Sequence, residues 1–195
     1  MNTPNKLSII RIILTPIFMA LLCINFPFHH FAALVVFVAA SLTDMFDGKI
    51  ARKYNLITDF GKFVDPIADK MLTTAAFLGF IALGIGYGVE WITLIVLIRE
   101  FAVSSVRMIA AAKGTVIAAD KLGKLKTVMQ MTAIITALAF EGFMDIFAMF
   151  IPSFTMLNLP MVIIYNILLW VSAILTVLSG INYLAKNKEA VFADM

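Results

Sequence analysis

Cysteine is almost missing: Cys23 stands alone among 195 residues, which excludes an intrachain disulfide. It sits in an apolar segment and is expected to pack rather than react. Charge is scarce. Asp, Glu, Lys and Arg make up 14% of the chain, against about a quarter in a soluble domain. No Lys or Arg falls in 23–46, 83–98 or 127–185. No internal repeat, low-complexity segment or soluble domain is visible. The first apolar segment lacks a small-x-small cleavage site and reads as a span rather than a removable leader. No nucleic-acid partner is expected.

What is abundant is apolar. Hydrophobic residues make up 62% of the chain, and the mean hydropathy is +1.00. A helix needs about 20 such residues to cross a bilayer. Six segments qualify, near 6–26, 31–53, 60–83, 90–112, 121–150 and 159–186. The fifth is expected to break near Glu141-Gly142 or Asp145, and Pro16 to kink the first. Turn residues separate the segments, among them Pro27, the 55–59 stretch, Gly84/Gly86/Gly88 and Gly114. The predicted class is all-α: a polytopic membrane protein of six transmembrane helices, 1–195 forming one domain. Cations gather at Lys6 and Arg11, 49–70, Arg99 and Arg107, 113–126, and Lys186 and Lys188. By the positive-inside rule both termini, the 50s turn and the 113–126 loop are cytoplasmic. His29 and His30 then fall at the outer end, as interfacial polar residues.

Against this background four aspartates stand out beside the basic turn. Charges in a span cost roughly 2.5–3.5 kcal/mol each on insertion scales and imply a function. Asp44 and Asp47 are three apart and share a helix face with Gly48 and Ala51. Gly61, Asp65 and Asp69 are four apart and line a face of the next helix. Leu56 centres the turn. In an antiparallel hairpin Asp47 then faces Asp65, and Asp44 faces Asp69 one turn deeper. Any one Asp alone reads as readily as an ion pair at the membrane edge. Four paired in depth, flanked by small residues, suit two divalent cations sharing carboxylates, Mg²⁺ or Mn²⁺ by ligand type. Lys49, Arg52 and Lys53 stand at the rim, placed to receive phosphate. Buried carboxylates also mark cation pathways, but a transporter would show broken helices and related halves.

The residues Asp44, Asp47, Gly48, Ala51, Arg52, Gly61, Asp65 and Asp69 match D-x2-D-G-x2-A-R-x8-G-x3-D-x3-D without departure. The chain thus resembles the CDP-alcohol phosphotransferases. The resemblance implies a homodimer of six-helix protomers in a bacterial cytoplasmic membrane, with a metal-dependent site facing the cytoplasm. It implies that Asp44, Asp47 and Asp65 ligate metal, and that Asp69 ligates the second ion and is the general base. Asp44, Asp47, Gly48, Ala51, Arg52 and Gly61 would hold the cytidine diphosphate. The opening Asn5-Lys6-Leu7-Ser8-Ile9-Ile10-Arg11 looks like that of bacterial members using CDP-diacylglycerol, with Asn5, Ser8 and Arg11 near lipid or head group. Arg99-Glu100-Phe101, Arg107 and Gly123-Lys124-Leu125-Lys126-Thr127 look like the branch that makes phosphatidylglycerol phosphate from glycerol 3-phosphate. Inositol phosphate, serine and phosphatidylglycerol are the other acceptors the family offers.

The charges themselves support a phosphorylated acceptor, which needs cations beyond those holding the donor. Arg107, Lys124, Lys126 and Arg99 are the candidates. Lys124 and Lys126 are two apart, so only one of them is expected to point into a site. Arg99, nearer mid-membrane, is expected to pair with Glu100 of a neighbour or another buried carboxylate.

Overall fold

The computed structural model describes residues 3–54, 59–114, 117, 120–150 and 158–188. Side chains at 3–4, 44–54, 59–60, 62–63, 65–66, 69, 148 and 158–159 lie outside the described residues. Six helices follow one another: α1 (Thr3–Cys23), α2 (His29–Tyr54), α3 (Asp59–Leu83), α4 (Val89–Ala112), α5 (Lys121–Phe150) and α6 (Asn158–Lys186). At 1.5 Å per residue each is at least about 30 Å long, the thickness of a bilayer's hydrocarbon core. Among the described residues, Asn5–Cys23, Lys121–Phe147 and Pro160–Lys186 are long and apolar enough to cross a membrane. His29–Thr43 and Lys70–Leu83 are shorter apolar stretches. The outer surface carries large apolar side chains such as Ile98, Val128, Ile163, Ile174 and Ile181. So much exposed apolar surface suits lipid, not water.

The main helix contacts close a ring in the order α1, α2, α5, α6, α4, α3 and back to α1. α2 and α3, neighbours in sequence, touch each other little among the described residues; α1 packs against both. Helix starts of α1, α3 and α5 thus share one end of the bundle with the ends of α2, α4 and α6. We call this the charged end, since it holds the α2–α3 turn and both Lys121 and Lys186. The opposite end holds Tyr87 and Trp91, both exposed, and Trp170, whose indole N–H donates to the Tyr87 carbonyl at 3.1 Å. Aromatic residues with an apolar body and a polar edge suit a membrane interface.

The inward face of α1 shows how sequence divides the two ends. Asn5, Ser8, Arg11, Thr15, Phe18 and Leu22 follow at helical spacing and are all buried. The first four are polar and the last two apolar. Phe18 packs against Phe37 with ring centroids 5.5 Å apart, and Phe77, Phe80, Ile134 and Leu138 complete the core there. The buried face of α1 is therefore apolar toward one end and polar toward the charged end.

Two expectations need adjusting. α5 runs unbroken through Glu141, Gly142 and Asp145. Gly142 instead gives α2 room: a Cβ there would lie 3.0 Å from the Phe31 backbone nitrogen. Cys23 is exposed, because it is the last residue of α1 and lies off the buried face. The Gly84, Gly86 and Gly88 segment is a loop, as its place at a span's end suggests. All three glycines have positive φ, and Trp170 closes over Gly88.

The contact at Gly142 can be measured. Gly142→Val is expected to lower the unfolding temperature in detergent, by overpacking worth ~1–3 kcal/mol. Gly114→Ala, with open space around it but a φ of 75°, should lose only the ~1–2 kcal/mol of left-handed strain. An unshifted unfolding temperature for Gly142→Val would mean that α2 and α5 do not meet there.

Candidate functional site

The backbone places the aspartate motif at the charged end. Asp47 lies seven residues before the end of α2 and Asp65 six after the start of α3; Asp44 and Asp69 each lie ten from the same ends. At equal rise the pairs sit about 10 and 15 Å from the turn. The side chains of Asp44, Asp47, Ala51, Arg52, Asp65 and Asp69 lie outside the described residues, as does the environment of Gly48. Gly61 is described and buried.

The depth of the buried polar face on α1 follows from one contact. A Cβ at Gly79 of α3 would meet the Leu22 side chain at 2.4 Å, with Met19 next to it. α1 and α3 run parallel, so counting back from that contact sets Arg11 level with position 68 and Ser8 level with position 65. Asn5, Ser8 and Arg11 each have polar or electrostatic partners. Three hydrophilic residues therefore line α1 at the depth of the α3 aspartates.

Beside this segment a cavity of about 980 Å³ opens between α3, α4 and α5. It begins at Ile67, within the last turn of the motif, and at Lys70 and Met71 directly after it on α3, and reaches Tyr183 on α6. Five cations line it, Lys70, Arg99, Arg107, Lys124 and Lys126, against two carboxylates, Glu100 and Asp120. Among the described residues the cavity wall thus carries a formal excess of three positive charges.

Glu100 organises three of those cations. Lys126, 5% exposed, makes a short ion pair with its Oε1. Arg99 Nη1 donates to the same oxygen at 3.1 Å, and Lys70 Nζ lies 3.7 Å from Oε2. Lys70 also donates to the Ser104 hydroxyl and, at 3.4 Å, to the Glu100 backbone carbonyl. Among the described residues Glu100 is the carboxylate these three buried or half-buried cations share, and Lys126 has a further partner as well. Arg99 is held from behind as well. Its Nη2 donates to Ser179 Oγ at 2.8 Å, and Gly123 and Gly180 leave room for it: a Cβ at Gly180 would lie 3.0 Å from Arg99 Cγ.

Arg107 stands at the other side. Its Nε donates to the buried Tyr183 hydroxyl at 3.2 Å, and the guanidinium lies 5.4 Å from that ring's centroid. The remaining guanidinium donors keep their fork, which matches a phosphate. Asp120 immediately precedes α5 and its carboxylate accepts the Lys121 N–H at 2.8 Å. It also pairs with Asn182 and, at 3.6 Å, with Lys186.

The four basic residues singled out from sequence therefore meet in one cavity. Against the expectation that only one would, Lys124 and Lys126 both line it, because the cavity is wide enough to reach both: Lys126 is buried and ion-paired, whereas Lys124 is exposed. Arg99 does pair with a carboxylate, that of Glu100 in its own chain. Sequence reasoning missed Lys70, Ser104, Asp120, Ser179 and Tyr183. Lys70 follows Asp69 directly and carried a signal that went unused. Ser179 and Tyr183 carried none, because α6 reads as an ordinary apolar span.

Comparison with known proteins gives the same picture. Residues 1–178 match the family model described as CDP-alcohol phosphatidyltransferase. A Bacillus subtilis protein named CDP-diacylglycerol–glycerol-3-phosphate 3-phosphatidyltransferase is 38% identical, over 97% of this chain and 96% of its own. Proteins of the same name from Rickettsia bellii and Wigglesworthia glossinidia brevipalpis are 36% and 35% identical. The first match covers 96% of each chain; the second covers 94% of this chain and 93% of the relative. The chain belongs to the CDP-alcohol phosphatidyltransferase family.

Proposed function

We propose that this enzyme transfers the phosphatidyl group of CDP-diacylglycerol to glycerol 3-phosphate, giving phosphatidylglycerol phosphate and CMP. The observation that carries the reading is the cavity's excess of positive charge directly after the aspartate motif. An acceptor with its own phosphate needs such a wall; serine does not. The names of the full-length relatives point the same way.

Four aspartates on two helices, in pairs at matching backbone depth, are an all-oxygen donor set suited to hard divalent cations. In this reading Asp44, Asp47, Asp65 and Asp69 hold two such ions, Mg²⁺ or Mn²⁺, whose chemistry is to neutralise the diphosphate. Gly48, Ala51, Arg52 and Gly61 line the cytidine diphosphate site. Asn5, Ser8 and Arg11 bound the donor's head group from α1. Arg107, with Lys126 and Lys124, holds the acceptor phosphate, and Arg99 backs them through Glu100. Asp69 takes the proton of the acceptor hydroxyl as its oxygen bonds to the β-phosphorus. The bond from that phosphorus to the bridging oxygen breaks, and CMP leaves. The acyl chains remain in lipid. The charged end faces the cytoplasm of a bacterial cell, both termini with it, in agreement with cation placement. A single domain acting as a homodimer belongs to the same reading.

The direct test is CMP release by purified protein given CDP-diacylglycerol, Mg²⁺ or Mn²⁺ and one acceptor at a time. Glycerol 3-phosphate is expected to support turnover; inositol phosphate, serine and phosphatidylglycerol are not. Turnover with one of those alone would reassign the acceptor. In the same assay Asp69→Asn at saturating metal should lose roughly 10²–10⁴-fold in kcat; near-normal kcat would remove Asp69 as the base. Arg107→Ala should raise the KM for glycerol 3-phosphate about 10-fold or more, as loss of a charge-assisted hydrogen bond worth ~1.5–3 kcal/mol requires. The KM for CDP-diacylglycerol should stay near normal. If both KM values rise together, Arg107 does not belong to the acceptor site.

A further inference from the structure

His29, His30 and Asp145 meet at the end of the bundle opposite the aspartate motif, and nothing in the transfer reaction uses them. One ligand atom from each lies within 4.8 Å of the others, and all three residues are half-buried. Asp145 comes from α5, 115 residues away from His30. His30 Nδ1 lies 3.0 and 3.1 Å from the two Asp145 oxygens, and its backbone N–H donates to one of them at 3.3 Å. His29 Nδ1 lies 3.0 Å from the Leu22 carbonyl oxygen at the end of α1. A carbonyl only accepts, so Nδ1 carries the proton there and Nε2 keeps its lone pair. Metal-ligating histidines commonly make just this hydrogen bond with their other nitrogen.

An ion pair tying α2 to α5 would account for His30 and Asp145. It does not account for a second imidazole, 3.8 Å away between ring centroids, with its tautomer set by a backbone carbonyl. The turn just before the pair is also unusual: Phe28 has φ of 65°, a conformation that non-glycine residues rarely take and that persists where surroundings hold it. Glu141 lies one turn before Asp145 on the same face of α5 and accepts a hydrogen bond from Tyr165 at 3.2 Å. The area thus holds a second carboxylate.

We propose that His29, His30 and Asp145 bind one zinc-class divalent ion, with water completing four-coordination. Two imidazoles and one carboxylate suit zinc, whereas magnesium prefers oxygen alone. The site is separate from the aspartate motif: His30 and Asp44 both lie on α2, fourteen residues or about 21 Å apart along its axis. A bound ion would clamp the α1–α2 turn to α5.

Full-length protein in detergent, with Mg²⁺ in excess, is titrated with Zn²⁺ by calorimetry and melted with and without it. One Zn²⁺ per chain should bind despite the Mg²⁺ and raise the unfolding temperature, since it binds the folded state. His29→Ala leaves the His30–Asp145 contact in place and should weaken Zn²⁺ at least about tenfold, removing most of the thermal gain. Asp145→Asn should do the same, and Asp65→Asn should leave Zn²⁺ affinity unchanged. No Zn²⁺ binding in excess Mg²⁺, unaltered affinity in His29→Ala, or loss of the zinc in Asp65→Asn would each overturn the proposal. CMP release plays no part in the readout, so the transfer reaction can stand or fall separately.

Discussion

A cation brought into an apolar bundle costs several kcal/mol unless a counter-charge comes with it. This bundle brings Lys126, Arg99 and Lys70 around the one carboxylate of Glu100. Among the described residues the cations that line the cavity outnumber its carboxylates. Much else follows from it. α4 and α5 must approach closely for Lys126 to reach Glu100, and α6 must offer Ser179 to Arg99. The cavity between α3, α4 and α5 sets these basic side chains among apolar ones such as Ile67, Leu78, Val96 and Phe101.

The ring of helices divides the labour along its axis. Away from the charged end Phe18, Phe37, Phe77 and Phe80 pack the interior as a soluble core would. At the charged end the same helices turn polar. α1 shows the change within one face, where Arg11 and Thr15 give way to Phe18 and Leu22. A lipid-linked donor needs such a gradient. Acyl chains suit the apolar outer surface, and a diphosphate suits the polar residues of the charged end.

Much of this was legible in the sequence for a physical reason. Charges in an apolar chain are rare, so each one stands out and its spacing carries information. Six helices and their ends to within about three residues followed from that scarcity; so did the candidacy of Arg99, Arg107, Lys124 and Lys126, although only one of the two lysines was expected to line a site and both do. What was not legible rests on small or apolar residues and on tertiary contacts. Gly142 read as a break, but it is a point of close approach between α2 and α5. Tyr183 and Ser179 read as part of an ordinary span, yet they hold the two arginines. His29 and His30 read as interfacial polarity; their partner Asp145 lies on α5, far away in sequence, and no periodicity could name it.

Gly180 illustrates how far a site can extend beyond the groups that do its chemistry. It has no side chain and no charge, and lies on α6 away from the aspartate motif. Yet a Cβ there would lie 3.0 Å from Arg99 Cγ, close enough that the arginine stem would have to give way by a few tenths of an ångström. A larger residue would press harder on the stem whose guanidinium binds Glu100 and Ser179. An apolar substitution at a buried position of α6 therefore reaches the pocket through the arginine, with every polar residue of the pocket intact.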